Sequence, residues 1–154
     1  MERTMTNRYD EVIERLRLML EGEDDAIAIM ATVACELHVA SPHHSWTGFY
    51  RVTAPEQLTV GPYQGGHGCL HIPFVRGVCG AAARTQTTQL VPDVEQFVGH
   101  IACSSSTRSE LVLPICKSGE VVAVLDLDSD ELAAFSPDDV EALEPFCAWL
   151  GERL

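Results

Sequence analysis

The sequence predicts an α+β domain built on an antiparallel sheet, and three observations carry that prediction. Two stretches of helical period lie within residues 8–37, five or six short strand-like runs with hairpin connections follow, and a serine-capped helix with proline in its first position closes the chain. No interior linker is polar enough to divide the 154 residues, enough for one domain with a real core.

Taken in order, residues 8–20 place Val12, Leu16 and Leu20 on one face and Glu11, Glu14 and Arg15 elsewhere, a helical pattern that Gly22 can end. Residues 23–37 repeat the pattern through Ile27, Met30, Ala31, Ala34 and Leu37, which makes Cys35 a packing residue. The SPHHS segment then breaks the helix. His43 and His44 have no cysteine or carboxylate neighbours there and are expected to form a solvated pair.

Residues 45–52 and 57–63 are rich in aromatic and β-branched residues, and APE between them reads as a hairpin loop. Alternation along the first run puts Trp46, Gly48 and Tyr50 on one face and Thr47, Phe49 and Arg51 on the other. Spacing alone allows Trp46 and Tyr50 to be core, or to flank a ligand over the gap left by Gly48.

The stretch from Gly65 to Glu110 holds three of the six cysteines in loops between strand-like runs. Gly65, Gly66 and Gly68 surround His67 ahead of Cys69, a conformationally permissive segment that is expected to be mobile. Residues 77–85 read as a short helix with Cys79 in its first turn. There the positive helix end favours a thiolate, while burial of a small residue is the competing reading. Residues 88–91 form a brief strand ended by Pro92. The following loop carries Cys103 among three serines, outside any apolar period.

Residues 110–116 and 120–128, joined by KSG, form a hairpin. In VVAVLDLDS, Leu125 and Leu127 face one way and Asp126 and Asp128 the other. A buried acidic pair is costly unless it binds a cation or shares a proton; an exposed strand end is the alternative. Ser136 caps the last helix, residues 136–152, with Pro137 in its first position and Asp138 and Asp139 near its positive end. Val140, Leu143, Phe146, Cys147 and Leu150 form its apolar face, Pro145 should kink it, and Cys116 and Cys147 pack.

Composition narrows the function. Asp and Glu outnumber Lys and Arg by 23 to 10, and the net charge of -13 repels nucleic acid and anionic membrane surfaces alike. The N-terminal MERTMTNRYDEVIERL lacks the features of a secretory signal, and no apolar run is long enough to span a bilayer, so a cytoplasmic protein with reduced thiols is expected. Cys69, Cys103, His67, His71 and His100 could be imagined as zinc ligands, but no CxxC or HxxxH spacing supports that, and no metal or bound cofactor is expected.

SWTGFY, LTVGPYQG, CLHIPFVRGVCGAAA, VPDVEQFVGHIACSSSTRSELVLPI and VVAVLDLDS follow one another in an order that resembles the motifs of the free methionine-(R)-sulfoxide reductases, single GAF-domain enzymes. The resemblance covers residues 45–139; the N-terminal helices, residues 8–37, match in type only. It implies that Cys103 attacks the sulfoxide and becomes a sulfenic acid, that Cys69 resolves it as a disulfide, and that Cys79 is an auxiliary or second resolving thiol. It also implies that Glu110, Asp126 and Asp128 bind substrate and that Trp46 and Tyr50 contact its methyl group. A thioredoxin-like reductant and a homodimer are implied as well. The competing reading is a non-catalytic GAF sensor for a small ligand, although the chain lacks the Asn-Lys-x-x-Phe-Asp-Glu signature of cyclic-nucleotide GAF domains.

Overall fold

In the computed structural model, which describes residues 6–154, one six-stranded antiparallel sheet has helices on both faces. The chain runs α1 (Asp10–Met19), α2 (Ala26–Val39), β1 (Trp46–Ala54), β2 (Gln57–Gln64), β3 (His71–Pro73), α3 (Gly77–Thr85), β4 (Gln89–Val91), β5 (Ser109–Lys117), β6 (Glu120–Ser129) and α4 (Pro137–Gly151). The strand order is β3-β2-β1-β6-β5-β4, so β1 and β6 lie in the middle, paired antiparallel.

Period-two alternation sorts the strands onto two cores. Phe49, Leu111, Leu113, Ile115, Leu125 and Leu127 face one way and bury against α1, α2 and α4. Each such side chain contributes roughly 1.5–3 kcal/mol when taken out of water. The opposite face carries Trp46, Tyr50, Leu58, Val112 and Val124, covered by Val78, Cys79, Ala82 and Ala83 of α3. The long loop between β4 and β5 closes this second face and contains a single 3-10 turn, Val94–Gln96.

Local signals explain the helix ends. Asp25 caps α2 by accepting from the Ala28 amide at 2.8 Å. Ser136 and Asp139 form a reciprocal capping box on α4, which continues through Pro145. Asp139 is also clamped by Arg8 at 2.7 Å, tying the start of the chain to its last helix.

Two expectations for the first helices need correction. The buried face of α2 is Ile29, Met30, Val33, Ala34 and Leu37, whereas Ile27, Ala31 and Cys35 are exposed. This helix is apolar nearly all round, so two overlapping faces fit the period, and the one carrying bulkier Ile29 and Val33 turns inward. Cys35 is therefore not a packing residue. Nor do the histidines form a solvated pair: His43 is exposed and paired with Glu131, while His44 is buried with Nε2 2.6 Å from the Tyr9 hydroxyl. Among the described residues, no helix is long and apolar enough to cross a membrane.

Candidate active site

Strand register builds the site. Trp46 of β1 is opposite Asp128 of β6, and Asp128 is opposite Glu110 of β5, so the three side chains make one row across the sheet. The next row is Gly48, Asp126 and Val112. Asp126 and Asp128 thus point from the centre of the sheet toward α3, not from an exposed strand end.

Gly48 does not leave a gap for a ligand. A side chain there would stand 2.7 Å from the Trp46 ring and 2.4 Å from the Tyr63 Cβ, because the indole itself lies across the glycine. Trp46 is sandwiched by rings, with centroids 5.7 Å from Tyr50 and 5.2 Å from Tyr63, and its indole N–H donates to the Gly66 carbonyl at 2.8 Å. The resulting aromatic wall borders a cavity of about 40 Å³ whose other walls include Glu110, Asp126, Asp128, Cys79 and Cys103.

Cys79 enters from the first turn of α3. That turn begins at Gly77, whose φ of +73° is costly for other residues and whose N–H donates to the Gly99 carbonyl at 3.0 Å. The cysteine thiol lies 3.4 Å from Asp126 Oδ2 and 3.9 Å from Glu110 Oε1. Burial, then the neighbouring carboxylates Asp126 and Glu110, push the Cys79 thiol well up. Of the two readings open for Cys79, the buried small residue holds: a helix end does not offset complete burial against acidic groups.

The carboxyls respond in the same direction. Burial first, and then mutual repulsion, raises Glu110, Asp126 and Asp128 well above the ordinary carboxylate range. Asp126 Oδ1 and Asp128 Oδ1 are buried without a hydrogen-bond partner. This arrangement can hold protons at neutral pH, and among the described residues no lysine or arginine pairs with it.

Cys69 and Cys103, 34 residues apart, are joined in a disulfide with their Cα atoms 5.2 Å apart. This pairing removes both from the imagined zinc set. Among the described residues, the only cluster of metal-ligating side chains is Cys79, Glu110 and Asp126.

The GAF domain family model matches residues 5–154. A free methionine-R-sulfoxide reductase of Escherichia coli (strain K12) is 34% identical over 149 residues, 97% of this chain and 90% of that protein. The one from Saccharomyces cerevisiae is 39% identical over 149 residues, 88% of this chain and 81% of that protein. The chain belongs to the GAF-domain family of free methionine-R-sulfoxide reductases. The family member from Neisseria meningitidis, solved in complex with its substrate, superposes with a TM-score of 0.91 at 36% identity, covering 99% of this chain and 93% of that one.

The structure brings together the residues that the family resemblance marks as catalytic or substrate-binding, whereas His71 of the imagined zinc set does not line the cavity. Trp46, Tyr50, Cys79, Cys103, Glu110, Asp126 and Asp128 line one cavity, and Cys69 is bonded to Cys103. Two further side chains adjoin this cluster. Tyr63, which the sequence places only on a strand, stacks on Trp46. His100, whose Nε2 is 3.8 Å from Glu110 Oε2, borders the cavity, and burial lowers its affinity for a proton. The sequence signal for His100 is its position three residues before Cys103, in a loop where it otherwise reads only as a zinc ligand.

Proposed function

We propose that this protein reduces free L-methionine-(R)-sulfoxide to L-methionine. The observation that carries the reading is the Cys69–Cys103 bond at a cavity lined by three buried carboxyls and an aromatic wall. Cys103 attacks the sulfoxide sulfur, the S–O bond breaks as the oxygen passes to Cys103 with a proton, and methionine leaves a sulfenic acid. The Cys69 thiol then displaces hydroxide from that sulfenic acid, giving water and the disulfide. An external dithiol reductant, thioredoxin-like, takes up the oxidising equivalents in turn. No bound cofactor enters the cycle.

Trp46 and Tyr50 contact the substrate methyl group, and Asp126 and Asp128 hold the ammonium. Glu110 supplies a proton to the departing oxygen; its raised proton affinity suits that role. Cys79, free and protonated beside Glu110, is a reserve resolving thiol. The setting is cytoplasmic and the assembly a homodimer. A non-catalytic sensor needs none of the paired thiols.

A reductant-coupled assay on free methionine-(R)-sulfoxide, its S epimer and a peptide-bound sulfoxide tests the proposal. Turnover of the first alone is expected. Equal activity on the peptide overturns the assignment to a free amino acid.

A further inference from the structure

We propose that the surface around the Cys69–Cys103 bond is the docking site for a protein dithiol reductant whose own redox thiols have an apolar rim set with carboxylates; this rests on the disulfide cycle proposed above. Leu70, Val75 and Val98 are 68%, 72% and 96% exposed, three large apolar side chains that the fold does not cover. Local contacts gather them around the bond. Leu70 directly follows Cys69, and the Gly77 N–H donates to the Gly99 carbonyl at 3.0 Å, which fastens the backbone just beyond Val75 to the backbone just beyond Val98. The Ile101 side chain, close in sequence to Cys103, lies 3.2 Å from where a Gly77 Cβ would stand. None of Leu70, Val75 and Val98 lines the cavity, so substrate contact does not account for their apolar character.

Charge is the second observation. The chain carries 23 acidic residues, yet none lies between Glu56 and Asp93 or between Glu95 and Glu110, the two segments that hold the bond. Glu110 itself is buried. Arg76 and Arg108 are exposed in those segments, and among the described residues neither forms a salt bridge. Elsewhere Arg8, Arg15 and Arg153 are each paired with a carboxylate. On a molecule of net charge -13, this face attracts an anionic partner that the rest of the surface repels.

The bond itself fixes the partner's chemistry. Cys103 borders the cavity and Cys69 does not, so Cys69 presents the outer sulfur. A thiolate of the reductant attacks that sulfur, the S–S bond breaks, and the electron pair leaves on Cys103. The reductant's second thiol then displaces Cys69 from the mixed disulfide. Two thiols form here as one dithiol becomes a disulfide, and its two protons pass to Cys69 and Cys103. Redox encounters of this kind are small and brief, and an apolar centre with a charged rim suffices to hold them.

The test compares a protein reductant with a small one. Protein carrying Cys35→Ser and Cys116→Ser, which removes the other accessible thiols, is oxidised with diamide so that no sulfoxide is involved. Reduction of its Cys69–Cys103 bond is then followed with a thioredoxin that has carboxylates around its redox thiols, and separately with dithiothreitol. Val75→Ser with Val98→Ser should slow reduction by thioredoxin about tenfold or more and leave the dithiothreitol rate unchanged. Arg76→Gln with Arg108→Gln should slow it likewise and flatten its decline with added salt, while Arg76→Lys with Arg108→Lys keeps the parental behaviour. A thioredoxin lacking its second thiol should be trapped on Cys69. Thioredoxin rates indifferent to these substitutions, losses shared equally with dithiothreitol, or trapping on Cys103 overturn the proposal. Failure of sulfoxide turnover would instead sink the proposed activity and leave these rates as they are.

Discussion

The Cys79 thiol donates to Asp126 Oδ2 at 3.4 Å, so a cysteine at the start of a helix is held in its protonated form by an acid on the middle of the sheet. A protonated, buried thiol is a poor nucleophile. In the reduced protein at neutral pH, iodoacetamide should modify Cys79 on the order of a hundredfold more slowly than exposed Cys35. Peptide mapping over a time course reads both rates, and equal rates would contradict the placement of Cys79.

The disulfide partners should separate by role. Cys103→Ser is expected to abolish even one turnover, because a neutral serine lacks the nucleophilicity and the sulfenic acid chemistry of cysteine. Cys69→Ser should release one equivalent of methionine and leave a trappable sulfenic acid on Cys103. Mass spectrometry of dimedone-treated protein distinguishes the outcomes. A sulfenic acid on Cys79 instead would reverse the assignment.

Gly48 offers a test of the aromatic wall that touches no charged group. A methyl group at this position would overlap the Trp46 ring at 2.7 Å and Tyr63 Cβ at 2.4 Å. Overpacking of this kind costs about 1–3 kcal/mol; tilting the indole away from Gly48 relieves the ring contact, while the Tyr63 Cβ contact requires β1 and β2 to shift apart locally. Gly48→Ala should therefore lower the urea midpoint and raise KM for the sulfoxide more than it lowers kcat.

The hairpin of β5 and β6, the capped α4 and the short α3 were legible because periodicity and capping residues act locally. The row from Trp46 through Asp128 to Glu110 was not, since register between strands far apart in sequence is fixed by the whole sheet. The face of α2 was misread for a related reason: a helix apolar all round carries no unique stripe. His44 departs from its solvated reading, and Cys79 takes the buried one of its two readings, for a common reason. Each lies in a segment that local rules assign to solvent or to a helix end, and each is buried by an element arriving from elsewhere: Tyr9 and Phe135 over His44, and β5 and β6 over Cys79.

Glu110 and the two aspartates should be separable kinetically. Loss of a positioned acid slows the chemical step by about a hundredfold to ten-thousandfold, so Glu110→Gln should depress kcat. Asp126→Asn or Asp128→Asn should mainly raise KM, because attraction to an ammonium is felt equally in the ground and transition states. Single-turnover rates at saturating sulfoxide isolate chemistry from recycling. If Glu110→Gln kept the parental rate while an aspartate variant lost it, the acid would have to be moved to that aspartate.

His44 should set part of the pH dependence of stability. Burial, reinforced by the nearby Arg8 charge, lowers its pKa to about 4, and its Nε2 faces the Tyr9 hydroxyl at 2.6 Å. Burial also raises the Tyr9 hydroxyl, which keeps its proton and can donate to the neutral imidazole. In the unfolded chain the histidine titrates near its ordinary value of about 6.5. Between that pH and about 4 the unfolded state binds a proton that the folded state does not. Stability contributed by neutral His44 is therefore complete above about pH 6.5 and is lost as the pH falls to about 4, by at most about 3 kcal/mol. His38, also lowered by burial, acts in the same direction. Asp139, which burial would raise but Asn7, the Ser136 backbone and Arg8 hold low, loses its stabilising charge only at more acidic pH. Glu110, Asp126 and Asp128 act oppositely, since protons held more tightly in the folded state favour it as the pH falls. The difference between parent and His44→Gln removes these shared contributions, and glutamine retains an acceptor for Tyr9. Urea midpoints from pH 7.5 to 4 should fall less steeply for His44→Gln than for the parent; parallel curves would show that His44 is protonated alike in both states.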